Sequence, residues 1–67
     1  MDVRQRVGQN IKRLREAKGL SQEAFADLAD VHRTYVSGVE RGVRNPTITV
    51  MEKLAAALGA PTARLLE

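Results

Sequence analysis

Sixty-seven residues suffice for one domain, but a chain of that size buries a modest fraction of its surface and keeps little margin of stability. Cysteine is absent and histidine occurs once, which excludes disulfides and a thiolate or histidine-cluster metal site. The net charge of +3 suits a polyanionic partner without requiring one, no apolar run approaches the roughly 20 residues that span a bilayer, and Met1-Asp2-Val3 lacks a secretory signal pattern, so a cytoplasmic chain is expected.

The pattern predicts a first helix from about Val3 to Lys18, with Asp2 as N-cap and Gln5 completing a capping box. Val7, Ile11 and Leu14 form its apolar stripe, and Gly19-Leu20 reads as a C-terminal glycine with its hydrophobic contact. Gly8 interrupts this helix at a cost of about 1 kcal/mol relative to alanine, which points to a close helix contact. Ser21 is a favoured N-cap for a second helix that ends near Ala29, with Phe25, Ala26 and Ala29 facing inward. A third helix runs from about His32 to Arg41 and stops at Gly42, with Val36 and Val39 as its inward stripe. After a loop through Val43-Arg44-Asn45-Pro46, Thr49 and Glu52 offer a capping box for a fourth helix that buries Met51, Leu54, Ala55 and Leu58 and ends at Gly59. Pro61 suits the first turn of a short fifth helix carrying Leu65 and Leu66. Repeats and linkers are absent, so residues 1–67 read as one all-α, five-helix domain.

The break between the second and third helices, at Asp30-Val31, is too short for them to lie antiparallel, so they must cross steeply in a helix-turn-helix. Gln22-Glu23, Ala26, Val31, Val36, Val39 and Glu40-Arg41-Gly42 give this segment a close resemblance to the Cro and lambda-repressor-like helix-turn-helix family of xenobiotic-response-element type. The likeness extends upstream through Leu14-Arg15 and Gly19-Leu20-Ser21-Gln22, and downstream through Arg44-Asn45-Pro46 and Leu54 to Gly59. Within the family, His32-Arg33-Thr34-Tyr35-Val36-Ser37 is similar to the second motif helix of restriction-modification controller proteins.

That resemblance implies a compact lambda-repressor-like fold in which the third helix enters a major groove. Its outward residues are then Arg33, Thr34, Ser37 and Gly38, with Tyr35 at the margin. Arg33 is the leading base reader, since its planar fork can donate twice to guanine O6 and N7. Thr34 suits a thymine methyl or a base acceptor, and Ser37 a base or a phosphate. Gly38 departs from the family habit of a long polar side chain there: either backbone and DNA approach more closely, or reading is confined to the first turn, or the glycine is simply tolerated. Gln22, Asn45, Arg44, Arg41 and Tyr35 are the expected phosphate contacts, with Arg41 equally readable as a cation complementing the helix end. His32 replaces a common Ser or Thr cap, with a DNA contact and a packing role both open. Asp30 stands where glycine is usual, in a conformation that aspartate tolerates better than most residues.

The resemblance also implies a structural ion pair between Arg15 and Glu40. The other basic residues of the first helix read as a solvated face, with long-range steering of DNA the alternative, and the acids Glu23, Asp27 and Asp30 gather where the motif turns away from DNA. No activated nucleophile, glycine-rich phosphate cradle or histidine-carboxylate cluster can be assembled, so neither catalysis, nor a cofactor, nor a small-molecule substrate is expected. The expected function is sequence-specific binding of double-stranded DNA by a homodimeric transcriptional regulator on a near-palindromic operator. Leu65, Leu66 and Met51 are the candidate dimer surface, although these leucines suit the core equally. An antitoxin or protein-interaction module on the same fold is the alternative; its discriminating feature would be a toxin-binding extension, and the sequence ends at Glu67 without one.

Overall fold

The computed structural model describes residues 2–67; Met1, counted above in the one-domain reading, lies outside them. Its elements are α1 (Val3–Ala17), α2 (Gln22–Ala29), α3 (Arg33–Glu40), α4 (Ile48–Leu58) and a 3-10 helix, Thr62–Leu66. Helix α3 packs on α1 and α2, α2 also meets α4, and the 3-10 helix closes the far end between α1 and α4.

The fold is lambda-repressor-like, and one element of the five-helix expectation is corrected. The last segment hydrogen-bonds Arg64 N–H to the Pro61 carbonyl at 3.0 Å, three residues back, so it is a 3-10 helix and leaves four α-helices. Five residues after a proline hold too few fixed turns to repay α-helix nucleation. Two caps differ as well. Thr47, not Thr49, caps α4, its hydroxyl accepting from Val50 N–H at 3.2 Å. Asp2 caps α1 through Arg4 N–H at 2.7 Å, but Gln5 closes no box and lies with its Cγ against Gly42 instead.

All four α-helices end alike. Leu20, Val31, Val43 and Ala60 each donate to a carbonyl five residues back, while the residue before each of them takes up a left-handed conformation. This is the Schellman termination, in which two otherwise orphaned carbonyls are satisfied at once. Three of the left-handed positions are glycine, and the fourth is Asp30 at φ 59, in the helix-turn-helix corner, as its residue type allows.

The core is Val7 and Ile11 from α1, Phe25, Ala26 and Ala29 from α2, Val36 and Val39 from α3, and Met51, Leu54, Ala55 and Leu58 from α4. Leu65 completes it at 0% exposure, and Leu14 is only partly buried. Leu65 therefore cannot serve a second copy of the chain, and Met51, at 9%, is core too; of the three residues considered for a dimer surface only Leu66, at 45%, is exposed. A buried polar residue holds the closure: Asn10 Nδ2 donates to the Leu65 carbonyl at 2.9 Å, while its Oδ1 accepts from Arg13 at 2.6 Å.

Two contacts fix α3 against α1. A Cβ on Gly8 would lie 2.3 Å from the Val39 carbonyl oxygen and 2.8 Å from that of Glu40, so only glycine allows the backbones to approach this closely. Beside it the Arg15–Glu40 pair is present and buried, with Arg15 Nε and Nη2 donating to the two carboxylate oxygens at 2.7 and 3.0 Å. The hydrogen bond to Glu40 raises the guanidinium pKa further above its ordinary value, keeping Arg15 charged at any pH the protein meets.

Gly8→Ala should lower the denaturant midpoint, because overpacking against fixed carbonyls costs about 1–3 kcal/mol and outweighs the roughly 1 kcal/mol an alanine gains within a helix. An unchanged or raised midpoint would contradict the contact. Glu40→Ala, which strands a buried guanidinium, should cost about 3–5 kcal/mol in a thermal or denaturant melt. A loss below about 1 kcal/mol, the value of an exposed pair, would mean that the node does not carry the fold.

Candidate nucleic-acid interface

The corner between α2 and α3 spans only Asp30, Val31 and His32, and it seats Val36 and Val39 in the core. The helical period then turns the remaining positions of α3 outward. Arg33 and Thr34 are exposed, and among the described residues neither side chain has a hydrogen-bond partner. Ser37 is half-buried. His32 occupies the N-cap position without capping through its side chain and is exposed, so the first N–H groups of α3 remain open.

Gln22 begins α2 as expected for a residue presenting a helix N-terminus, but its side chain is already engaged. Its Nε2 donates to Glu40 Oε1 at 3.0 Å. Glu40 thus accepts from Arg15 and Gln22 together, and Arg15 Nη1 donates on to the Leu20 carbonyl at 2.8 Å. One carboxylate joins α1, the start of α2 and the end of α3, leaving one amide N–H and the amide oxygen of Gln22 for other partners. Sequence reasoning anticipated the ion pair but missed this third member.

Arg44 and Asn45, in the loop after α3, are exposed. Arg44 does not extend away from the helix. A Cβ on Gly38 would stand 2.6 Å from Arg44 Cγ and 3.3 Å from its Cδ, so the stem of Arg44 lies directly on the bare backbone of α3. Its guanidinium carbon sits 5.4 Å from the centre of the half-buried Tyr35 ring, within cation–π range. Arg44 N–H also donates to the Gly38 carbonyl at 3.2 Å. An open depression of about 670 Å³ on this surface is lined by Thr34, Tyr35, Gly38, Val43, Arg44 and Asn45. Arg41 borders it, exposed, with Nε donating to the Ser37 carbonyl at 3.3 Å.

The packing gives Gly38 a role that residue type alone left open. The glycine is buried because Arg44 covers it, and the roughly 1 kcal/mol helix penalty is accepted where a second residue needs the space. The available clue was the pairing of a mid-helix glycine with an arginine shortly after the helix end. Among the described residues no group of histidine, cysteine, aspartate or glutamate could hold a metal ion, and no helix is long and apolar enough to cross a membrane. The acids Glu23, Asp27 and Asp30 are all exposed.

Comparison with known proteins agrees with this geometry. A helix-turn-helix family model, HTH_3, matches residues 11–65. The control protein C.BamHI of Bacillus amyloliquefaciens is 40% identical over 67 residues, covering 98% of this chain and 83% of that protein. The crystal structure of the restriction-modification controller protein C.AhdI from Aeromonas hydrophila is similar with a TM-score of 0.90 and 47% identity, over 92% of this chain and 94% of that one. SinR, a master regulator for biofilm formation solved in complex with DNA, is similar with a TM-score of 0.87 and 39% identity, over 91% and 98% of the two chains. With its motif, its core and these relatives in register along nearly its whole length, the chain belongs to the helix-turn-helix family of DNA-binding transcriptional regulators.

Proposed function

We propose that this regulator binds a near-palindromic operator as a homodimer, each copy inserting α3 into the major groove of one half-site, with half-sites about 34 Å apart. The observation that carries the proposal is the exposed, unpartnered pair Arg33 and Thr34 at the N-terminal end of α3, on a helix whose opposite face is locked into the core. Arg33 donates to a guanine edge, Thr34 meets a neighbouring base, and Ser37, half-buried, reaches a base or phosphate at the edge of the contact.

Phosphate contacts flank this row. Gln22 offers the first N–H groups of α2 and the free half of its amide, held in place by Glu40, and Asn45 and Arg41 do the same work at the other end of α3. Tyr35 contributes from beneath Arg44. Leu66 is the residue of the anticipated dimer surface still available for association, and a chain this small gains stability from a second copy. The similarity to C.BamHI and C.AhdI supports control of a restriction-modification system as the biological setting.

Arg33→Ala should reduce affinity for the duplex selected from a random pool by about 5- to 150-fold, the equivalent of one bidentate guanine contact, and leave affinity for random duplexes nearly unchanged. Asn45→Ala should weaken both alike and flatten the dependence of log K on log salt by about 0.9, one phosphate's share. Anisotropy titrations at several salt concentrations measure both. Equal losses on selected and random DNA for Arg33→Ala would reject its assignment, and a wild-type chain indifferent to duplex sequence would reject the proposed function.

A further inference from the structure

The phosphate role expected of Arg44 does not match where its side chain lies. A phosphate clamp sits at the flank of a recognition helix, whereas Arg44 crosses the outward face of α3 at residue 38 and borders the same depression as Thr34. Residue 38 is four positions after Thr34 and so lies one turn along the same stripe. The stem of Arg44 thus occupies the place that a long side chain on residue 38 would fill, entering from the loop rather than from the helix.

The chemistry of the guanidinium suits a base edge. A cation–π contact with Tyr35 is made through the guanidinium carbon and uses none of the N–H donors of the fork. Among the described residues that fork has no hydrogen-bond partner, and Arg44 is exposed. Three restraints limit its swing: the Tyr35 ring beneath the guanidinium, the bare Gly38 backbone under the stem, and its own N–H bonded to the Gly38 carbonyl. Such preorganisation favours a directional contact over a diffuse charge pairing.

We infer that Arg44 reads a base, donating its fork to guanine O6 and N7 beside the base met by Thr34, and that Gly38 and Tyr35 are positioning residues that seat it on the recognition helix. The inference rests on the proposal that α3 lies in the major groove. It makes residue 38 a determinant of specificity through what it lacks.

The test compares Arg44→Ala, Gly38→Ala and the double variant, each titrated by anisotropy against the duplex selected by the wild type and against random duplexes. Arg44→Ala is expected to cut the ratio of selected to random affinity by about 5- to 150-fold. Gly38→Ala should cut it in the same direction while the protein stays folded by circular dichroism, because the atom its new Cβ meets is the flexible Arg44 stem and not backbone. The double variant should be no less specific than Arg44→Ala alone, since both changes remove one contact. Tyr35→Phe, which keeps the ring, should retain most of the ratio. If Arg44→Ala weakens both duplexes equally and flattens the salt dependence by about 0.9, Arg44 is a phosphate clamp and the inference falls while the proposed function stands. If Gly38→Ala leaves the ratio unchanged, the seating role of Gly38 is refuted. Loss of all sequence preference in the wild type would instead overturn the groove reading itself.

Discussion

A single buried carboxylate holds this small protein in its working shape. Glu40, the last residue of α3, accepts two hydrogen bonds from Arg15 of α1 and one from Gln22 at the start of α2, while Arg15 reaches on to the Leu20 carbonyl in the turn between them. Three helix ends meet there, and no buried side-chain polar atom among the described residues is left unpaired. In a chain with no disulfide and one modest core, such a node sets direction where hydrophobic burial, which is nondirectional, cannot. It fixes the C-terminal end of α3 relative to the N-terminus of α2, the two places from which a helix-turn-helix grips a duplex.

The same economy governs the backbone. Gly8 lets α1 approach the end of α3 until carbonyl oxygens lie where a methyl group would be, and Gly38 clears the opposite side of α3 for the stem of Arg44. Both glycines stand inside helices, where residue propensity disfavours them. Each marks a close approach, one to the core scaffold and one to the outward face. Helix α3 is therefore gripped on one side by α1 and carries on the other an arginine that it does not itself encode.

Much of this was legible in the residues. The 3.6-residue period identified nearly every core position, since Val7, Ile11, Phe25, Val36, Val39, Leu54 and Leu58 repeat as helix stripes whatever surrounds them. Asp30 in a left-handed corner followed from the family resemblance, which places glycine there, and from the tolerance of aspartate for that conformation. Most of what escaped was set by contacts distant in sequence. Asn10 sits within the apolar stripe of α1, a hint of a buried partner, yet nothing local could name the Leu65 carbonyl 55 residues away. Leu65 and Leu66 are adjacent leucines with opposite fates, decided by that same hydrogen bond and by the 3-10 geometry that turns Leu65 inward. Thr47 displaced Thr49 as a cap because a side-chain hydroxyl needs only a free N–H three residues on, without a glutamate in reply.

For the candidate site, residue type nominated Arg33 and Thr34, which the structure leaves exposed, and packing supplied the relation of Gln22 to Glu40 and of Arg44 to Gly38. The account stands on one surface formed by the α2 N-terminus, the outward side of α3 and the loop after it. Two-dimensional amide NMR during titration with the selected duplex tests that surface most directly. Resonances of Gln22, Glu23, Arg33 through Ser37, Arg44 and Asn45 should shift or broaden together, while those of Asp27, Leu28 and Thr62 hold still. Perturbations centred on Asp27 and Leu28, or absent from α3, would contradict it.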